Sequence, residues 1–295
     1  MNSCKQITKC SVCYGRFFSS SSTKCSEKTV ITNRLNKVMT IGINRPDSCN
    51  ALNYDTANRL SDAISQFEED DSVSVAVIHG VAGNFCSGFD LKEMNNEPNL
   101  AEKLTALRLT DRFVSKPLVA AVSGYAVGVG MDLALWCDVR VMEDTAVLGY
   151  FQRRFGIPHS HGALDRLKHM VGLSRALDWV LTGRAIKAEE AYNCGLVGRL
   201  VACGTGLGQA YSVATSIAKF SPAALNTDRA ALYLACLSEK HIQAGLVAAH
   251  REHHLQNAMK EAAEGVKKFA EGCGRHGKNT GLFDIETNME ISERQ

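Results

Sequence analysis

The segment LVAAVSGYAVGVGMDLALWCDVRV, which begins at Leu118, constrains the fold more than any other part of the chain. Its first five residues are an unbroken apolar run, which is typical of a strand buried on both faces. Glycine permits positive φ and the close approach of another group, so glycines ahead of a helix predict a turn whose N–H groups face a ligand. Three glycines follow the strand, at Gly124, Gly128 and Gly130. A helix is then predicted from Met131 to Cys137.

One carboxylate, Asp132, lies in the first turn of this predicted helix and is followed by the apolar residues LALW. Two interpretations are open. The carboxylate stabilises the helix N-terminus through the helix dipole, or it serves chemistry at the glycine turn. A dinucleotide-binding fingerprint is excluded, because no third glycine follows Gly128 and Gly130 at the required spacing.

The same arrangement occurs earlier in the chain. An apolar strand is predicted over Val73–His79, followed by GVAGNFCSGFDLKEM, a glycine-containing loop that leads into a helix near Asp90. In alternating α/β chains, ligands bind at the carboxyl ends of strands. The two glycine loops are therefore predicted to form opposite walls of one pocket, where free backbone N–H groups can make an oxyanion hole.

The other predicted elements support an α/β domain followed by helices. Strands are expected in VITNRL, KVMTIGINRP and residues 139–142, 145–148 and 200–201, and a helix over 57–67 with Asn53 as its cap. Helices are further expected over 100–115, from about Gly162, over 174–181 and 188–194, and throughout 208–270. Because the final 60 residues have no strands to pack against, their apolar faces are expected to cover the core or a neighbouring subunit.

The N-terminus differs in composition from the rest of the chain. Residues 1–26 contain four basic side chains, seven serines and no acid, and lack the apolar core of a secretory signal. This composition is typical of a mitochondrial transit peptide, which predicts a soluble protein of the mitochondrial matrix; a disordered cytosolic tail is the alternative. The domain prediction is therefore a transit peptide over 1–28, a core over 29–203 and a C-terminal helical region over 204–295.

Composition excludes several other classes of protein. The net charge is +2, no apolar run approaches the ~18 residues of a membrane span, and no basic patch interleaved with aromatic residues indicates nucleic-acid binding. The single CxxC, formed by Cys10 and Cys13, has no second pair or histidine cluster to complete a zinc site. No metal site and no nucleic-acid partner are therefore expected, and the cysteines of the mature chain are expected to be free thiols.

From about Val30 onward the chain resembles the crotonase, or enoyl-CoA hydratase and isomerase, superfamily. The matching pieces occur in the right order: NRPDSCNALN, FCSGFDLKEM, GYAVGVGMDLALWCDVRV, LTGRAIKAEEAYNCGLVGRLV and AEGVKKFAEG. The resemblance implies an α/β fold, a spiral of ββα units with a C-terminal helical trimerisation region. It also implies an acyl-CoA thioester as ligand, no separate cofactor, and a homotrimer or dimer of trimers.

The resemblance also implies the site. The thioester carbonyl would be held by the N–H groups of Phe89 and Val129, and Val129 departs from the glycine usual at its position. Of the two glutamates that hydratases use, the first matches Asp132 and the second matches Gln152, which cannot take a proton. Further substrate-binding residues are implied at the matching motif positions: Ala51, Leu52, Gly88, Asp90, Leu91, Lys92, Gly128 and Gln152.

Other polar residues near these motifs have open roles. His161 or His159 could supply the base that Gln152 cannot, and the alternative is that both are solvated loop residues. His161 is predicted as catalytic together with Asp132. Arg153 and Arg154 either steer an acidic acyl group or are surface charges, and Lys92, Lys267 and Lys268 either contact the phosphates of coenzyme A or are solvated.

Two classes of function follow from this pattern. The first is an enzyme with one carboxylate, which suits enolisation, double-bond isomerisation or decarboxylation of an acyl-CoA better than two-base hydration. The second is a catalytically degenerate homologue that binds acyl-CoA or a partner protein. The acyl chain is not indicated by the sequence.

Overall fold

The computed structural model describes residues 28–97, 99–100, 103–104, 107, 109–159, 163–237 and 263–272 of the 295-residue chain. The predicted transit peptide therefore lies outside the described residues except for Lys28, and so does His161. The predicted division of the chain at residues 203 and 204 stays a prediction.

A six-stranded sheet forms the centre of the fold, in the order β1-β2-β3-β4-β6-β9. β1 and β2 are an antiparallel hairpin, and every other neighbouring pair is parallel. Parallel strands are covered on both faces, which explains why β4 is wholly buried. The strands are β1 (Val30–Leu35), β2 (Val38–Ile43), β3 (Val75–Gly80), β4 (Leu118–Val122), β6 (Val139–Glu143) and β9 (Arg199–Val201).

A smaller sheet of three short strands lies beside it, in the order β5-β7-β8. These are β5 (Tyr125–Val127), β7 (Val147–Gly149) and β8 (Ala185–Lys187). Sequence patterns predicted a strand at β7 and missed β5 and β8. Each missed strand has three residues, too few to show the alternation by which a strand is recognised.

Eight named helices connect and cover the sheets: α1 (Tyr54–Glu69), α2 (Leu91–Asn96), α3 (Val129–Trp136), α4 (Ala163–Val171), α5 (Leu173–Thr182), α6 (Ala188–Asn193), α7 (Gly206–Ile217) and α8 (Pro222–Leu237). Residues 263–270 are also helical. The predicted cap of α1 is confirmed, because the Asn53 side chain accepts a hydrogen bond from the N–H of Thr56.

The helix predicted over 100–115 does not reach its predicted end. Residues 109–115 are turns, bends and irregular backbone. Three backbone carbonyls in this stretch accept side-chain hydrogen bonds: that of Thr110 from Arg166, that of Arg112 from Trp136 and that of Val114 from Arg229. These contacts from distant helices satisfy groups that a helix would have bonded internally.

A strand–strand–helix unit repeats along the chain. β4 lies in the large sheet, β5 in the small one, and α3 follows; β6, β7 and the later α4 repeat this order. After β3, Cys86 makes a single parallel bridge to Ala126 of β5 before α2 begins. The chain therefore alternates between two sheets, and the turns before the helices meet at one edge.

Two apolar clusters hold the large sheet between them. Leu118, Ala120 and Val122 of β4 face the main core, whereas Val119 and Ala121 face a second cluster with α7. This alternation follows from the period of two along a strand. α7 covers this face of the sheet and contributes Ala210, Val213 and Ala214 to the second cluster. Most of the final 60 residues, which were expected to cover the core or a neighbouring subunit, lie outside the described residues.

Gly130 provides a test of this packing. A Cβ placed on Gly130 would lie 2.1 Å from the carbonyl oxygen of Cys86, whereas one on Gly208 of α7 meets nothing within 4 Å. We expect Gly130→Ala to lower the free energy of unfolding by about 3 kcal/mol, because backbone must move to admit the methyl group. The matched Gly208→Ala should raise it by up to about 1 kcal/mol. Urea denaturation at one protein concentration measures both, and equal effects would contradict the packing described.

Candidate active site

Two glycine turns meet beside the end of β5: Gly128 directly follows this strand, and Gly88 lies in the loop between β3 and α2. Gly88 has φ +104° and Gly128 has φ +58°, conformations that favour glycine. A Cβ on Gly88 would lie 3.2 Å from the carbonyl oxygen of Val127 and 3.9 Å from the nitrogen of Val129. The predicted meeting of the two glycine loops is thus observed, at a distance that leaves little room for a side chain.

The N–H groups that follow these glycines are directed away from the local backbone ladder. Leu52 donates to the carbonyl of Gly88 at 2.8 Å and accepts from the N–H of Asp90 at 2.9 Å. In such a parallel bridge the N–H of the intervening residue, Phe89, points away from Leu52. Val129 is the first residue of α3, where a helical N–H has no intrahelical acceptor.

Several predicted substrate-binding residues hold the Phe89 turn in place. Asp90 pairs with Arg45 at 2.9 Å and caps α2 by accepting from the N–H of Lys92. Arg45 also donates to the carbonyl of Ala51 at 2.6 Å. Ala51 and Leu52 are buried, whereas Lys92 is exposed. The structure therefore gives Asp90 a supporting role in the turn.

Asp132 lies in the first turn of α3, a helix whose eight residues are all buried. Its Oδ2 is 3.7 Å from Nδ1 of His159, and each side chain is 2% exposed. Its Oδ1 is buried and makes no hydrogen bond within the part of the chain that the structure describes. One carboxylate oxygen thus faces an imidazole and the other has no partner there.

Gln152 lies between the Gly128 turn and His159. Its Oε1 would be 3.4 Å from a Cβ on Gly128. Its Nε2 lies 2.5 Å from Nε2 and 3.2 Å from Nδ1 of His159. Gln152 belongs to the 3-10 turn Phe151–Phe155, which starts directly after β7. The residue that matches the second glutamate therefore faces the site, in contact with a histidine.

Tyr150 forms another wall around His159. Its ring is nearly perpendicular to the imidazole, with ring centroids 4.0 Å apart, and its hydroxyl is buried without a hydrogen-bond partner among the described residues. Burial, followed by the nearby charge of Asp132, raises the pKa of Tyr150 well above its ordinary value of 10.0. The phenol therefore stays protonated.

Two further groups feel the charge of Asp132. Burial raises the pKa of Cys86 to about 12, with a smaller contribution from Asp132, so this thiol is not a nucleophile at neutral pH. Burial lowers the pKa of Arg166, while Asp132 is among the acids that oppose the shift. Arg166 donates to the carbonyl of Thr110 at 2.6 Å. The carboxylate is thus surrounded by neutral groups, with one guanidinium within electrostatic range.

The interpretation of His159 as a solvated loop residue is wrong, since its side chain is buried against Asp132 and Gln152. Sequence reasoning also missed Tyr150 and Arg166. Spacing carried no signal for them, because residues 132, 150 and 166 lie on three separate elements. The only indication in the sequence that Tyr150 is buried was the partly apolar segment LGYF around it.

Arg153 and Arg154 have local partners. Arg153 donates to the carbonyl of Val180 at 3.3 Å, and the guanidinium of Arg154 lies 4.3 Å from the ring centroid of Phe151. Neither contact involves Asp132, Gln152 or His159.

The helix over residues 263–270 contacts the turn that contains Gln152. A Cβ on Gly265 would lie 2.1 Å from the carbonyl oxygen of Phe155, and the Phe155 and Phe269 rings meet edge to face at 5.2 Å. On this helix Lys267 is exposed, and Lys268 lies 3.8 Å from Glu264. A C-terminal helix thus packs against the turn that places Gln152 in the site.

No group of three or more metal-ligating side chains occurs in the part of the chain that the structure describes. Within the same residues, no helix is long and apolar enough to cross a membrane.

Comparison with known proteins agrees with this geometry. The sequence model of the enoyl-CoA hydratase/isomerase family matches residues 33–276. The chain is 34% identical over 252 residues to the probable enoyl-CoA hydratase echA8 of Mycobacterium tuberculosis, covering 83% of this chain and 95% of that protein. It is 32% identical over 253 residues to a protein of Dictyostelium discoideum named probable enoyl-CoA hydratase, mitochondrial, covering 82% and 88%.

A solved structure, the enoyl-CoA hydratase from Mycobacterium tuberculosis H37Rv, superposes with a TM-score of 0.69 at 31% identity, covering 86% of this chain and all of that one. The predicted crotonase-like α/β fold is thereby confirmed. Because the family match extends over most of the sequence, the chain belongs to the enoyl-CoA hydratase/isomerase family.

Proposed function

We propose that the protein holds the carbonyl of an acyl-CoA thioester between the N–H groups of Phe89 and Val129 and moves a proton at the acyl chain with Asp132. Family membership makes the acyl-CoA thioester the substrate class. One observation supports these residue roles: the Gly88 and Gly128 turns meet one helical turn away from the buried carboxylate of Asp132.

The two N–H groups suit a developing oxyanion. Removing a proton from the carbon next to a thioester carbonyl places negative charge on the carbonyl oxygen. Preorganised donors at that oxygen stabilise such a transition state, and losing one typically costs about 3 to 4 kcal/mol. The positive end of the α3 dipole adds to this field at Val129.

Asp132 suits the proton transfer, because its Oδ1 is free of partners among the described residues. The proton from the acyl carbon passes to Oδ1, and the electron pair moves to the thioester oxygen as an enolate. Returning the proton to a different carbon isomerises the double bond. Gln152 cannot act as a second acid or base, so one carboxylate performs both transfers.

The remaining predicted binding residues surround this centre. We propose that Ala51, Leu52, Gly88, Asp90, Leu91, Lys92, Gly128 and Gln152 shape the acyl-CoA site, with coenzyme A as part of the substrate and no separate cofactor.

Asp132→Asn tests the proposed function. The variant preserves the shape of the side chain but removes proton transfer, so turnover of crotonyl-CoA or of a 3-enoyl-CoA should fall by roughly 10²-fold or more, with acyl-CoA affinity largely retained. Both the conversion of crotonyl-CoA and that of 3-enoyl-CoA are followed by the change in absorbance of the thioester. Asp62→Asn, at an exposed position of α1, is the matched control and should be as active as the parent.

An Asp132→Asn variant as active as the parent would contradict the role of Asp132. If the parent binds both thioesters and converts neither, the chain is instead a degenerate acyl-CoA binder.

We also propose that the chain assembles as a homotrimer or dimer of trimers. Leu173, Leu177 and Leu181 form a stripe along α5 and are 60%, 45% and 75% exposed. Such a stripe indicates a protein interface. Light scattering at micromolar concentration should report three or six chains, and a monomer would contradict the assembly.

The mitochondrial matrix is the proposed location. The acid-free, basic and serine-rich composition of residues 1–26 supports it, as does similarity to the Dictyostelium relative named mitochondrial. Import of a reporter fused to residues 1–30 tests the proposal, and a diffuse cytosolic signal would reject it.

A further inference from the structure

The position that could hold a second carboxylate contains Gln152, yet this amide contacts a buried histidine that also faces Asp132. His159 has its Nδ1 3.7 Å from Asp132 Oδ2 and its Nε2 2.5 Å from Gln152 Nε2. The side chains of Asp132 and His159 are each 2% exposed. Burying an imidazole beside a carboxylate costs free energy unless their polar atoms form hydrogen bonds with one another.

We infer that His159 is a positioning residue of Asp132: its Nδ1–H holds Oδ2 of the carboxylate, and Gln152 fixes the tautomer from the other side. This inference rests on the proposed proton-transfer role of Asp132. The resulting order is Gln152, His159, Asp132 and then substrate at Oδ1.

We assign the tautomer from the contacts of the amide, taking the orientation in which the NH₂ of Gln152 faces the ring. A glutamine NH₂ only donates, so the imidazole nitrogen that faces it must be unprotonated. Since Nε2 of His159 is the closer ring nitrogen to Gln152, the ring proton belongs on Nδ1, the nitrogen whose distance to Asp132 is 3.7 Å. This separation exceeds a hydrogen bond, and catalytic hydrogen bonds commonly shorten when substrate binds.

This arrangement orients the carboxylate. Once Nδ1–H closes on Oδ2, that contact restricts rotation of the Asp132 carboxylate and leaves Oδ1, which has no hydrogen-bond partner among the described residues, for the substrate. His159 itself neither gains nor loses a proton during the reaction.

Gln152 can also serve the protonated form of His159. Its Oε1 is buried and accepts no hydrogen bond from the described residues. If the amide turns over, Oε1 takes the place of Nε2 and accepts from an imidazolium N–H. A glutamate carboxylate at this position could only accept from a ring protonated at Nε2, whereas an amide can donate to or accept from that nitrogen.

The other groups around the pair of Asp132 and His159 are Tyr150, which remains a neutral phenol against His159, and Cys86 and Arg166, which feel the charge of Asp132.

Two substitutions at His159 separate positioning from packing. His159→Leu removes the donor, and we expect kcat for enoyl-CoA turnover to fall on the order of 10- to 100-fold with KM nearly unchanged. His159→Asn places an amide N–H near the former Nδ1 and should restore most of kcat. The same changes at exposed His169 of α4 are the matched controls and should leave kcat unaltered.

Full activity of His159→Leu would overturn the inference. So would equal losses in both variants when each still binds butyryl-CoA like the parent, because the donor would then be irrelevant.

A measurement on the parent protein keeps the inference testable if a variant fails to fold or if no thioester is turned over. Nitrogen NMR of histidine-labelled protein with butyryl-CoA bound should show His159 as the Nδ1–H tautomer, and Asp132→Asn should change its signal. An Nε2–H tautomer would overturn the inference. If the parent shows the Nδ1–H tautomer but turns over no thioester, only the proposed function is contradicted.

Discussion

The geometry of this site depends on the close approach of two turns, which is possible because each has a glycine, without a side chain, at the point of contact. Gly88 and Gly128 both have positive φ, and the space beside Gly88 is occupied by backbone of residues 127–129. Any Cβ there would separate the N–H groups of Phe89 and Val129. The fold brings the turns together because β3 and β4 are parallel neighbours, and because Cys86 bridges to β5.

The polar groups of the site lie in the main core, where water cannot satisfy them. Asp132 and His159 are surrounded by apolar residues of α3 and by the ring of Tyr150. In such surroundings an unpaired charge is costly, and a polar group that lacks a protein partner is available to substrate. Oδ1 of Asp132 and the hydroxyl of Tyr150, which have no hydrogen-bond partner among the described residues, are therefore consistent with a site completed by its ligand.

Local pattern was sufficient for much of the fold. The apolar run of β4, the Asn53 cap and the two glycine turns were all predicted, because each depends on neighbours in sequence. The burial of His159 was not predictable, since it depends on contacts with α3 and with the turn after β7. The end of the helix expected over 100–115 was missed for a similar reason: side chains from distant helices bond its backbone.

We propose that this site forms an enolate of an acyl-CoA and that Asp132 takes the proton. Exchange of the α-protons of butyryl-CoA in D₂O, followed by NMR or mass spectrometry, tests this without requiring a double bond or added water. The parent should catalyse the exchange, and Asp132→Asn should be at least about 10²-fold slower. Binding of butyryl-CoA by the parent without exchange, or equal exchange by both proteins, would contradict the account.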